Sequence, residues 1–143
     1  MAHLEGFSDR TIVQKMLAHY ERSFECEKEN IDESRTPLNK NYAPSRSCGQ
    51  EAYLDSLLEE IPTIKSTTNI LSDWIVTLPR NKELDDREDE FFQATYAWFV
   101  KTLPEGERSI ISAYVHYDES QPHLHIVFCP ITTTEVTHNT DIP

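Results

Sequence analysis

Residues 115–130, "VHYDESQPHLHIVFCP", gather three of the chain's six histidines within ten positions. The residues around them alternate as strands do. In "SIISAYVHYD" (109–118), Ile110, Ser112, Tyr114 and His116 share one face, and in "HLHIVFCPI" (123–131) His123, His125, Val127 and Cys129 point together. The link between the two segments is short, so they are expected to pair as an antiparallel hairpin, with His116 beside His123 and His125 two residues further on the same face. Neutral imidazoles suit Zn, Mn, Fe, Ni or Cu, and a three-histidine set on a rigid hairpin leaves open positions for water or substrate. A single half-exposed strand histidine needs no ligand, whereas three on one face of one hairpin point to a metal. Asp118 and Glu119 lie in the turn, where Asp is also an ordinary turn former. The longer Glu119 is the candidate acid/base or orienting group, because its side chain reaches back toward the histidines.

Working outward, "NILSDWIVTL" (69–78) is rich in β-branched and aromatic residues and ends at Pro79, which predicts a strand. "KELDDREDEFFQATYAWFVKTL" (82–103) predicts one long amphipathic helix, acidic at its N-terminal end and closed by Pro104 and Gly106. Upstream, residues 8–29 space Ile12, Val13, Met16, Leu17, Tyr20 and Phe24 helically behind a Ser8 or Asp9 cap. Everything before that helix is read with it, so "MAHLEGF" is not assigned to a strand. Residues 30–48 predict an extended loop, and "QEAYLDSLLEEI" a helix with Leu54, Leu57, Leu58 and Ile61 inward. Strands interleaved with helices give an α+β fold, an antiparallel sheet flanked by helices.

The chain's 143 residues suit one domain over residues 1–131, with 132–143 a loose tail or truncation point. Hydrophobic residues at 38% and charged residues at 27% fit a folded chain rather than a disordered one. A net charge of -12 removes any global attraction to nucleic acid. Cys26, Cys48 and Cys129 form no CxxC pair, and no export signal or apolar run long enough to span a bilayer is present, so a reducing cytoplasmic setting is expected.

The run from His116 through Asp118, Glu119, Pro122, His123 and His125 to Pro130 resembles the HxDExxPHxHxxxxP signature of MobV-type relaxases, the plasmid mobilisation and recombination (Mob/Pre) family. All seven fixed positions are filled at the right spacing. "LSDWIVTLP" is similar to the family's strand before its long helix, "ENIDESRTPLNKNY" resembles its NIDxSRxHLNY stretch, and "AHYER" (18–22) its HNxR element. The resemblance covers about residues 18–131.

This resemblance implies an HUH-endonuclease-like fold and a metal-dependent relaxase. Such an enzyme nicks single-stranded or supercoiled plasmid DNA at an origin of transfer and remains attached to the 5′-phosphate. Mn²⁺ or Mg²⁺ on His116, His123 and His125 is the family expectation, although histidine ligation alone points as readily to Zn²⁺. His19 of the HNxR element is the implied nucleophile, with Tyr20 and Tyr42 the alternatives and Glu119 its orienting or proton-accepting partner. Arg22, Arg35, Asn39 and Tyr42 are the implied DNA contacts. Three departures accompany the match. The family's opening strand is not evident; Tyr20 and Pro37 replace its Asn and His, with Lys40 inserted; and the chain is acidic and lacks the family's further C-terminal segments. They motivate a second expectation, a noncatalytic relaxase-derived module that engages a basic protein partner. A metal-dependent hydrolase of another phosphodiester is a third.

Overall fold

The computed structural model describes residues 2–23, 31–80, 82–84 and 86–132. Five strands, β1 (Ala2–Phe7), β2 (Lys40–Asn41), β3 (Leu71–Thr77), β4 (Ile110–His116) and β5 (His123–Phe128), form one sheet in the order β1-β3-β5-β4-β2. Every neighbouring pair is antiparallel. Helices α1 (Arg10–Glu21) and α2 (Gln50–Leu58) cover one face, and α3 (Glu88–Thr102) covers the other.

The alternation along β5 assigns the two faces. Leu124, Ile126 and Phe128 pack with Phe92, Tyr96 and Phe99 of α3, while Val127 packs with Val13, Leu17 and Tyr20 of α1 and Leu54 and Leu57 of α2. His123 and His125 share the second face, at the end of the strand where the apolar cluster stops. Phe92 is fully buried and contributes a large share of the α3 contact. Phe92→Ala is expected to cost about 3–5 kcal/mol in chemical denaturation, and a loss below about 1 kcal/mol would disprove this packing.

The hairpin pairs as expected, His116 against His123 and Tyr114 against His125. The strand at 69–78 and the helix at 50–61 are also present, shortened to β3 and α2. The first helix starts behind the Asp9 cap, whose carboxylate accepts from the Thr11 and Ile12 amides. It ends at Glu21, and residues 24–29 of its predicted span lie outside the described residues, as do Cys26, Asn30 and tail residues 133–143.

Four expectations are corrected. Residues 2–7 form strand β1 rather than helix, pairing with β3 from Ala2↔Val76 to Phe7↔Leu71. β1 is an edge strand with nearly every residue exposed, so it lacks the buried alternation that marks a strand in sequence. Residues 30–48 are not wholly extended: Glu33–Leu38 form a 3₁₀ turn started by the Asp32 side chain, and Lys40–Asn41 add β2 to the sheet edge. The long helix begins at Glu88, because Asp86 takes the left-handed conformation (φ 67°) and separates it from a 3₁₀ turn at Lys82–Leu84. Finally, Ile110 does not face with Ser112. A bulge at Ile111 pairs Ile110 with Phe128 and Ser112 with Val127, which turns Ile110 toward α3.

Candidate metal and nucleotidyl-transfer site

His116, His123 and His125 offer three ligand nitrogens that all lie within 4.8 Å of one another. One nitrogen of each ring is held by an acceptor. His116 Nε2–H donates to the Tyr20 carbonyl at 2.8 Å, His123 Nδ1–H to the Gln121 carbonyl at 2.9 Å, and His125 Nδ1–H to the Asp73 carboxylate at 2.8 Å. Such outer bonds set the tautomer and ring orientation of metal-ligating histidines and leave the second nitrogen to the ion. The second nitrogen of His116, Nδ1, is buried and has no hydrogen-bond partner. An orphaned buried acceptor is costly unless something binds it, so the donor set fits a divalent cation.

Charge around the three rings follows from their partners. Burial pulls His116 down to about 3, aided by the positive charges beside it and opposed by its bond to the Tyr20 carbonyl. Its ring therefore stays neutral around neutral pH, the form in which an imidazole can bind a metal. His123 also meets a burial penalty, but its bond to Glu119, the Gln121 carbonyl and the Glu119 charge outweigh it and raise its pKa above the ordinary value. Glu119 is held down to about 2, first by its bond to His123 and then by Arg22, against the opposing effect of burial. Its Oε2 lies 3.3 Å from His123 Nε2 and 3.6 Å from His116 Nδ1. The turn carboxylate thus reaches back onto the histidines as the sequence suggested.

Asp73 is the residue that sequence reasoning missed. It sits in β3, fully buried, and its Oδ2 accepts from both His125 and the Tyr20 hydroxyl, the latter at 2.9 Å. The signal was legible: a carboxylate in the middle of the apolar run "LSDWIVTL" is buried and therefore partnered. Burial and the neighbouring Asp73 drive the Tyr20 phenol well above its ordinary pKa, so this tyrosine serves as a hydrogen-bond donor to Asp73. Asp73→Asn is expected to weaken Mn²⁺ binding by about 10–100-fold, measured by calorimetry, because His125 loses its charged outer partner. Unchanged affinity would remove Asp73 from the site.

α1 brings His19 to the same place. The His19 ring lies 6.4 Å from that of His116, centroid to centroid. A cleft of about 360 Å³ is lined by His19, Glu119, Asp73, His123 and His125, together with Glu5, Lys15, Met16 and Ile75. Arg22 caps α1 in the left-handed conformation (φ 57°), a non-glycine geometry that costs on the order of 1–3 kcal/mol and persists where surroundings enforce it. Its guanidinium faces inward rather than toward solvent: the side chain is 6% exposed and bonds Asp118, Glu119 and the His19 carbonyl.

The remaining expected DNA contacts lie away from the histidine cleft. Arg35 is exposed and donates to the Tyr117 carbonyl, and Asn39 bonds the Asp118 carboxylate and the Tyr117 amide. Tyr42 packs on the α3 side of the sheet and its hydroxyl binds Asp89, so it does not reach the three histidines.

A family model described as plasmid recombination enzyme, Mob/Pre, matches residues 1–142. The chain belongs to the Mob/Pre plasmid recombination enzyme family. Curated members of it from Lactiplantibacillus plantarum and Streptococcus agalactiae are 28% and 30% identical over 71% and 78% of the chain. The matched segments make up only 30% and 24% of those relatives' own lengths. Among solved structures, the MobM relaxase domain (MOBV, Mob/Pre) bound to plasmid pMV158 oriT DNA in a Mn-bound crystal at pH 6.8 superposes with a TM-score of 0.79 at 24% identity. It covers 93% of this chain and 71% of that one. A second Mn-bound crystal of the same domain with oriT DNA, at pH 4.6, gives 0.76 at 25% identity, with the same coverage. The MobV resemblance read from the histidine motif therefore holds, and the α+β sheet is the relaxase fold.

Proposed function

We propose that this Mob/Pre chain carries a metal-dependent relaxase activity, breaking one strand of plasmid DNA at an origin of transfer and joining the 5′-phosphate to His19. The observation that carries the proposal is the convergence of three oriented imidazoles, one with an orphaned buried nitrogen, on a cleft that also holds His19 and Glu119. The Mn-bound, oriT-bound structures of the MobM domain support extending the same ligand and substrate to this chain.

His116, His123 and His125 would hold the ion, with Mn²⁺ or Mg²⁺ ahead of Zn²⁺. When bound, it supplies positive charge to the oxygens of the scissile phosphate as negative charge grows there. The chain's own residues do the rest. His19 attacks phosphorus through its unprotonated ring nitrogen; the P–N bond forms as the bond to the 3′-oxygen breaks, and that oxygen takes a proton from solvent. The other ring proton of His19 is lost through the ionised Glu119 carboxylate, which lines the same cleft, and on to solvent. Arg22 we assign to holding Glu119 and the His19 backbone rather than to the DNA, and Arg35, exposed, to the phosphate backbone. The setting we propose is cytoplasmic; no helix among the described residues is long and apolar enough to cross a membrane.

The direct test is incubation with Mn²⁺ and supercoiled plasmid carrying a candidate origin, read by relaxation on agarose gels and by intact-protein mass. Relaxed plasmid with a nucleotide-bearing protein is expected. The net charge of -12 favours a second reading, a noncatalytic module that binds a basic protein. Metal binding with neither DNA binding at low salt nor an adduct across a broad oligonucleotide library would replace the first reading with the second.

A further inference from the structure

Asp118, which lies in the turn at a fixed position of the HxDExxPHxHxxxxP signature, is heavily bonded beside the cleft. It is fully buried and accepts four hydrogen bonds from three directions. Arg22 at the end of α1 gives two, Nε to Oδ2 and Nη2 to Oδ1, both at 3.0 Å. Thr36 Oγ1 and Asn39 Nδ2 give two more, at 2.8 and 3.0 Å. The Asp118 carbonyl also accepts from the Asp32 amide at 2.6 Å. Burial alone would push this carboxyl toward its neutral form, yet the donors hold it well below the usual carboxylate range.

The fork that Asp118 grips is the same group that orders the cleft. Arg22 Nη2 also donates to Glu119 Oε2 at 2.9 Å, and Arg22 Nη1 donates to the His19 carbonyl at 2.8 Å and lies 3.4 Å from His19 Nε2. A guanidinium held on two nitrogens by one carboxylate has a defined plane, so its remaining donors meet Glu119 and His19 at defined positions. We infer that Asp118 is a positioning residue that fixes His19 and Glu119 relative to the three histidines, acting through Arg22 and touching neither substrate nor metal. The inference rests on the reading that His19 and Glu119 perform the chemistry.

Asp118→Asn presents an amide N–H to the guanidinium and breaks the fork. With Mn²⁺ and an oligonucleotide that forms an adduct with the wild type, the variant is expected to form adduct about 100-fold more slowly, the scale of a 1 Å misplacement of reacting groups. Oligonucleotide affinity and Mn²⁺ affinity should stay within about three-fold of wild type, since the ligands and their outer partners are untouched. Thr36→Val, which removes one of the four bonds and leaves Arg22 in place, should show the same pattern in smaller measure and serves if Asp118→Asn fails to fold. An adduct rate within about three-fold of wild type in Asp118→Asn, or a rate lost only in step with Mn²⁺ affinity, would overturn the inference. If the wild type forms no adduct at all, the relaxase reading fails by itself. The positioning claim is then read from histidine ring ¹⁵N spectra: the His19 signals should move in Asp118→Asn while those of His116, His123 and His125 do not, and unmoved His19 signals would overturn it.

Discussion

His123→Ala is expected to abolish Mn²⁺ binding, with affinity falling by more than the roughly 100-fold that loss of an outer partner can cost. His123 is the most exposed of the three histidines, so its removal leaves the smallest hole and the fold should survive. Two imidazoles cannot hold a labile divalent ion as three do, and Glu119 is already engaged by Arg22. Calorimetry with MnCl₂ measures the change, and full affinity in the variant would refute the three-histidine site. The same titration carries a pH signature. The raised pKa of His123 means that, without metal, its ring keeps a proton to higher pH than an ordinary histidine. Metal must displace that proton, so affinity should fall as pH drops through and below this pKa, while His116, neutral down to about 3, adds nothing to the dependence. Titrating in buffers of different ionisation enthalpy counts the released proton.

The second large effect is expected from His19→Ala. Removing a nucleophile typically costs several powers of ten, so adduct formation should fall on the order of 10³-fold or more. Mn²⁺ affinity should hold, because the His19 ring is not among the three that converge. Oligonucleotide binding should change little for the same reason. An adduct that persists in His19→Ala would transfer the nucleophile to another residue, and peptide mapping would find it. Tyr20 is poorly placed for that role, since its hydroxyl is buried against Asp73. Tyr42 is on the opposite side of the sheet.

The site was more legible in the sequence than the fold around it. Strand alternation was enough to bring His116, His123 and His125 together, because register in a short hairpin leaves little freedom. Glu119 followed from its place in the turn, and His19 from the resemblance alone. What failed were features with weak apolar patterning. β1 escaped because an edge strand buries little, and β2 because two residues carry no period. Arg22 was read from sequence as a phosphate contact, and in the structure its guanidinium pairs with carboxylates of the same chain. That pairing depends on α1 and the hairpin, 96 residues apart, meeting in space, which no local pattern reports.

The bulge at Ile111 has a consequence for how this architecture tolerates change. On either side of it the ladder reads Ile110 with Phe128 and Ser112 with Val127, so the residues flanking the extra one already occupy consecutive rungs. Deleting Ile111 would straighten β4 and leave a gap against α1 and α2, yet every histidine would keep its partner and its face. The strand works as a slip joint, taking up a difference of one residue in chain length at the core end before it reaches the histidine end.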